Sequence, residues 1–218
     1  MTFAIISILV AVTVKGLIAR DARRRFGSWG TAAQVIITAV RSAFTTGDAV
    51  GKGWWPRTIA GARQAAYLSS AVLACILAIT GFIPAVFTAS SPSGTLLLIH
   101  MIAAPLFALT LAAASLLWSH DQQVREEDLP LLAQVVRTGT LYGAVTLSAV
   151  ARALYWLILV LTLPLLLSII LSLFPLFGTE GEHCLIGLHG YSALALMVLA
   201  LLHGYIRILL TLSGTHQG

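Results

Sequence analysis

Three histidines lie inside apolar segments of this chain, namely His100, His189 and His203. The last two are 14 residues apart, which corresponds to about 21 Å of helix rise and returns to nearly the same helix face. An ionisable side chain inside a membrane span is usually functional. Two imidazoles near opposite ends of one span are typical of axial ligands for two haems, one in each leaflet, and this is the leading hypothesis.

An internal repeat pairs His100 with His189. Residues 81–84 (Gly-Phe-Ile-Pro) and residues 173–175 (Leu-Phe-Pro) are each followed by a polar turn and then by the apolar segment that contains one of the two histidines. Both imidazoles are therefore expected about one turn below the same membrane surface, facing each other. Such a pair would give a six-coordinate haem suited to electron transfer. The alternative is an interhelical hydrogen bond or a proton relay.

The inner haem would be held by His203, but its second ligand is less obvious. Fourteen residues after His100 the chain has Ala114. His120 lies about 30 Å along the helix from His100 and on nearly the opposite face. It can be a ligand only if the helix ends, bends or tilts near Trp118. A helix-end His120 beside Asp121, or a ligand from another subunit, remains an alternative.

A polar and aromatic cluster is expected at the inner ends of the last two spans. Its members could hold haem propionates or border a quinone pocket, although snorkelling anchors at the membrane surface have the same composition. They are Arg152, Tyr155, Trp156, Tyr205 and Arg207.

The elements that position these residues must be membrane-spanning helices. The 218 residues are 58% hydrophobic and only 10% charged, whereas a soluble domain has about 25% charged residues. No segment alternates as a barrel strand would. The prediction is an all-α transmembrane bundle with five spans, at residues 2–19, 66–89, 95–119, 150–175 and 185–212.

Basic residues are concentrated in the connections after the first and third spans, and the loops at 90–94 and 177–183 have none. The positive-inside rule places the N-terminus outside and the C-terminus in the cytoplasm of an inner (plasma) membrane protein. This location also explains the net charge of +5 without a nucleic-acid partner. The predicted parts are a transmembrane anchor (1–19), a basic cytoplasmic connector (20–65), in which Trp29 to Phe44 suggests an interfacial helix, and a four-helix core (66–218).

The core resembles a known family. The motif Leu-x-x-Leu-His189-x-Tyr-Ser-Ala, followed by Leu-Leu-His203-x-Tyr, resembles the membrane di-haem cytochrome b superfamily, which includes the gamma subunits of formate dehydrogenases and related quinone-linked b-type cytochromes. The resemblance covers residues 60–212. It implies haem b, one or two per chain, with His100, His189 and His203 as ligands. The histidine expected at the start of the second span has no counterpart.

The resulting functional hypothesis is a b-type cytochrome subunit. It would carry electrons across the bilayer between a partner redox protein and a membrane quinone, as one non-catalytic part of a respiratory complex. The haem would supply the redox chemistry and the polypeptide would supply the ligands. Two alternatives remain: a haem-free proton-coupled transporter with a histidine relay, and a structural membrane anchor of a larger assembly.

Overall fold

The computed structural model describes residues 2–26, 34, 37–38, 57–88, 90–139, 141, 143–174 and 176–215. This part of the chain is helical and has no strand, which confirms the all-α prediction. The interfacial helix predicted from Trp29 to Phe44 lies almost entirely outside it and stays a prediction. The helices are α1 (Thr2–Phe26), α2 (Arg57–Phe87), α3 (Gly94–Trp118), α4 (Asp128–Thr138), α5 (Gly143–Ser172) and α6 (Gly178–Thr215).

Five of these helices, all except α4, are long and apolar enough to cross a membrane, as the sequence predicts. They extend beyond the predicted spans: α2 begins at Arg57 rather than residue 66, and α5 at Gly143 rather than residue 150. Hydropathy marks the part of a helix that lies in hydrocarbon. The backbone hydrogen bonds continue into the interface, where polar residues are equally compatible with a helix.

The short helix α4 follows α3 and is not among the predicted elements. Asp128 lies in its first turn and Arg137 in its last, so both charges oppose the helix dipole favourably. The helix ends at Gly139, whose φ of 64° places it in the left-handed region that glycine adopts without a Cβ clash. These signals are visible in the sequence, but the segment is too short and too polar to stand out in a search for spans.

The helices pack as two hairpins with α1 against them. α2 pairs with α3, and α5 pairs with α6. The closest packing joins α5 and α6 through small and branched side chains, which is how helices associate in lipid, where no hydrophobic force holds them together. The centre of this contact contains Leu147, Ala151, Leu154, Ile206 and Leu209.

α1 packs against both hairpins. At its beginning the Phe3 ring stacks on Phe82 of α2 at 6.3 Å between centroids and meets Tyr191 of α6 edge-on at 5.4 Å. Near its other end Asp21 accepts a hydrogen bond of 2.5 Å from the Tyr205 hydroxyl. These contacts fix the direction of α1 relative to the bundle. We call the end with Phe3 and His100 the His100 end, and the end with Asp21 and Arg152 the Arg152 end.

Candidate functional site

The two imidazoles of the repeat meet across the two hairpins. The ring centroids of His100, on α3, and His189, on α6, are 6.4 Å apart, and the ring planes are inclined at 74°. The proline-to-histidine spacing predicts this juxtaposition, and the structure brings the two residues together. Ligation of a metal by them stays a prediction, and its geometric requirements are considered next.

The hydrogen bonds of the neighbouring Thr80 indicate which ring nitrogen of His100 is protonated. The Thr80 hydroxyl donates its own proton to the Ile76 carbonyl at 2.8 Å, so its oxygen is left as an acceptor for His100 Nδ1 at 2.9 Å. We therefore assign the proton to Nδ1, which leaves the lone pair of Nε2 available to a ligand. Thr80 was not predicted as a site residue from the sequence. Its position on the helix that precedes and pairs with the His100 helix was the available signal.

The Nδ1 nitrogen of His189 is also a hydrogen-bond donor. Its Nδ1 lies 3.0 Å from the Leu165 carbonyl oxygen of α5, and a carbonyl can only accept, so Nδ1 is the donor and Nε2 again has the free lone pair. Metal-ligating histidines almost always donate their other ring N–H to a carbonyl, carboxylate or water, which fixes the ring and raises its basicity. Both histidines have such an arrangement before any metal is considered.

The separation of the rings suits one metal between them. A metal bound by two imidazoles at about 2 Å from each nitrogen places the ring centroids about 6 Å apart, since each nitrogen lies roughly 1 Å from its ring centre. The observed 6.4 Å agrees with this distance. The centroid separation is therefore compatible with bis-histidine ligation of a haem iron.

The pair lies between hairpins that make few direct backbone contacts with each other. A Cβ at Gly81 would lie 3.3 Å from His100 Cε1, so glycine is what lets the ring lie against α2. Within the described part of the chain, the backbones of α3 and α6 rarely approach within 8 Å, in contrast to the tight packing inside each hairpin. A macrocycle between the hairpins would fill a region where the helices themselves make little contact.

His203 lies toward the Arg152 end, in the packed interface of α5 and α6. Its ring is beside the Ala151 backbone carbonyl, and its Nδ1 is buried without a hydrogen-bond partner. Ala151 and His203 stand in the same antiparallel relation as Leu165 and His189, which are each 14 residues away. The contacts described for this region bring no second imidazole to His203.

His120 follows the end of α3, which stops at Trp118, so the helix does end where the sequence argument required. The side chain is 71% exposed, however, and its Nδ1 lies 3.6 Å from a carboxylate oxygen of Asp121. This is the alternative of a helix-end histidine beside an aspartate. The structure does not bring His120 to His203.

The cluster at the Arg152 end is engaged with protein partners. Arg152 binds Asp128 of α4 with two hydrogen bonds, one of them 2.9 Å from Nε to Oδ2. The Tyr155 hydroxyl donates to the Ser115 carbonyl of α3 at 3.0 Å, and Tyr205 donates to Asp21.

Trp156 Nε1 donates to the Gln122 carbonyl at 2.7 Å. Arg207 is partly buried one turn after His203.

Asp128 lies outside the spans and has a shifted pKa. It is fully buried at the start of α4. The hydrogen bond from Arg152 holds the pKa of Asp128 below its ordinary value, and burial opposes this effect less strongly. The Arg125 backbone N–H also donates to its Oδ2 at 2.8 Å. The carboxylate therefore stays charged and ties α4 to α5.

A second buried arginine was not recognised in the sequence. Arg63 of α2 is 1% exposed and pairs with Asp121, and its guanidinium lies 4.2 Å from the centre of the Trp118 ring. Arg152 follows Arg63 by 89 residues, the same interval that separates His189 from His100. This interval was the available signal, and it extends the internal repeat from the histidines to the opposite end of the bundle.

Among the described residues, no three His, Cys, Asp or Glu side chains come together. No protein-family model, curated protein or solved structure matches this chain. The functional argument therefore rests on the residues themselves.

Proposed function

We propose that this chain is a membrane b-type cytochrome subunit in which His100 and His189 are the two axial ligands of a haem. The observation that supports the proposal is the pair of imidazoles 6.4 Å apart, each with Nδ1 engaged by α2 or α5.

The residues of the chain would bind and orient the cofactor. His100 and His189 would both hold the iron, which would favour electron transfer over binding of small ligands. Thr80 and the Leu165 carbonyl hold the rings and increase the basicity of the donor nitrogens. Haem, when bound, supplies one-electron exchange between ferric and ferrous iron.

The electron-transfer partners of the chain follow from its place in a membrane. A haem protein of this kind exchanges electrons with a partner redox protein in the same complex and with a membrane quinone. The chain lies in the inner (plasma) membrane with the His100 end outside and the C-terminus in the cytoplasm. The distribution of charge supports this orientation, because Arg20, Arg23 and Arg24 are exposed at the Arg152 end. Arg207 and Tyr205 would border a quinone site there.

The test is a reduced-minus-oxidised visible spectrum of the purified protein, with a pyridine haemochrome assay of haem per chain. We expect a b-type spectrum that disappears in His100→Ala and in His189→Ala. His183→Ala is the matched control, because His183 is exposed on the same helix as His189 and should retain full haem. Wild-type protein that folds in its native membrane without haem would contradict the proposal and favour a histidine relay or a structural anchor.

A further inference from the structure

A second haem at the Arg152 end has two structural requirements. It needs a donor facing His203 at the same depth, and it needs space between the hairpins. α3 and α6 run in the same direction, and His100 and His189 lie at one level. Fourteen residues further along each helix are Ala114 and His203, so these two positions mark the level of a second site. Alanine has no ligand atom.

Ala114 itself is buried, with 7% of its surface exposed. Ala103 and Phe107 of the same helix are buried as well, so whether a second cofactor fits at this level depends on how the two hairpins are joined there.

Two hydrogen bonds join the hairpins on this side of the bundle. The Tyr155 hydroxyl of α5 donates to the carbonyl of Ser115, the residue after Ala114, at 3.0 Å. One residue later on α5, Trp156 Nε1 donates to the Gln122 carbonyl at 2.7 Å, just beyond the end of α3. A macrocycle at the level of Ala114 would have to separate α3 from α5 and break the Tyr155 bond, which would leave a partly buried hydroxyl and carbonyl without partners.

The remaining candidate ligand points elsewhere. His120 is 71% exposed and lies beside Asp121, and Asp121 is held by Arg63. To reach His203, His120 would have to leave this ion-paired turn and enter the bundle.

We infer that the chain holds a single haem, at the His100 end, and that the Arg152 end is closed to a second one. This inference rests on the proposed function and departs from the di-haem pattern that the sequence resembles. His203 then belongs to the interface inside the second hairpin, where its Nδ1 is buried without a hydrogen-bond partner. Its neighbours Leu202 and Ile206 belong to the cluster shared with α5, and its ring lies beside the Ala151 carbonyl.

A single redox centre has a functional consequence. Electron exchange through this chain takes place at the His100 end, and transfer across the rest of the membrane requires a centre in another subunit. The quinone would have to approach the same end or be served by that other subunit.

The experiment is a count of haem and iron per chain in protein purified from its native membrane, combined with a potentiometric titration. We expect one haem per chain and one single-electron wave. His203→Gln keeps a polar side chain of similar reach and should leave both results unchanged, while His100→Ala should remove the haem. Gel filtration of each variant in detergent establishes that it remains folded.

The outcomes are distinct. Two haems per chain in the wild type, or loss of haem in folded His203→Gln, would overturn the single-haem inference and leave the proposed function intact. No haem in the wild type would instead remove the proposed function itself. One haem that survives in His203→Gln and is absent in His100→Ala supports both.

Discussion

At the scale of single residues, the two candidate ligands differ in what holds them. His100 Nδ1 donates to a hydroxyl, and His189 Nδ1 donates to a backbone carbonyl that no side-chain substitution removes. The first partner can therefore be changed without touching the second. Because such partners fix the ring and set the basicity of the donor nitrogen, Thr80 is a positioning residue whose effect is measurable.

Thr80→Val should weaken haem binding by about 10- to 100-fold, the usual effect of losing such a partner. Valine fills the same space but leaves the His100 N–H without an acceptor. Haem titration of the apo-protein measures the affinity, and a redox titration should show a shifted midpoint potential. Thr80→Ser retains the hydroxyl and should restore both. Equal affinity and potential in wild type and Thr80→Val would show that the bond has no role in positioning.

Gly81→Ala should also reduce haem content. The added Cβ would lie 3.3 Å from His100 Cε1, closer than most Cβ contacts, so the imidazole would have to move. Gly61→Ala is the control, since a Cβ there, in the same helix, has nothing within 4 Å. Alanine is the better helix former, so the control should fold at least as well as the wild type. Normal haem content in Gly81→Ala would show that the ring adjusts freely.

At the scale of elements, α4 is positioned by one buried ion pair. Asp128 is fully buried at its first turn, and the Arg152 side chain that it binds is 15% exposed. Removing one partner of a buried pair leaves an uncompensated charge, whereas an exposed pair such as Arg125–Glu127 contributes little. The chain thus allows the stability contribution of a buried ion pair to be compared with that of an exposed one.

Asp128→Asn should destabilise the protein by about 3–5 kcal/mol, while Glu127→Gln should have almost no effect. The pH dependence has a definite sign. Because the pKa of Asp128 is lowered in the folded state, its contribution is present above the ordinary carboxyl pKa of about 4 and is lost as the pH falls through the folded value. Thermal unfolding in detergent from pH 7 to pH 3 measures this.

The wild type should therefore lose stability in acid more steeply than Asp128→Asn does. The comparison between the two proteins matters more than either curve, since other carboxyl groups also titrate in this range. Parallel curves for the two proteins would contradict a role for the pair in linking α4 to α5.

At the scale of the whole molecule, the two ends of the bundle differ in charge and in tightness. The Arg152 end has the buried Arg63 and the partly buried Arg152, each paired with an aspartate of the connection between the hairpins. The His100 end has no such pair among the described residues, and its loop at 90–93 is short and uncharged. One end is fastened by ion pairs and hydrogen bonds, and the other is where the imidazoles face each other.

The orientation can be read by cysteine labelling. Both native cysteines, Cys75 and Cys184, are free and exposed, so they are first replaced by serine. In that background Ser93→Cys, in the loop at the His100 end, should react with a membrane-impermeant maleimide on intact cells. Glu126→Cys, before α4, should react only after permeabilisation. The reverse pattern would invert the proposed orientation and move the haem to the cytoplasmic side.

The amino-acid sequence by itself determined the class of fold and the identity of one candidate pair. Apolar length indicates spans because an unpaired backbone in hydrocarbon is costly, so five long apolar segments lead to five helices. The depth of a residue in a span follows from its position, because each residue adds a fixed rise. His100 and His189 could therefore be placed at one level before their helices were known to face each other.

Tertiary structure decided what sequence position leaves open. Which nitrogen of His100 bears the proton depends on Thr80, a residue on another helix, and whether the Ala114 level is open depends on Tyr155 of α5. The depth of a residue in the membrane depends only on its position along one helix, which the sequence gives directly. The partner of a side chain depends on how the helices rotate and cross, and in lipid that is set by packing and hydrogen bonds between distant segments rather than by any local pattern.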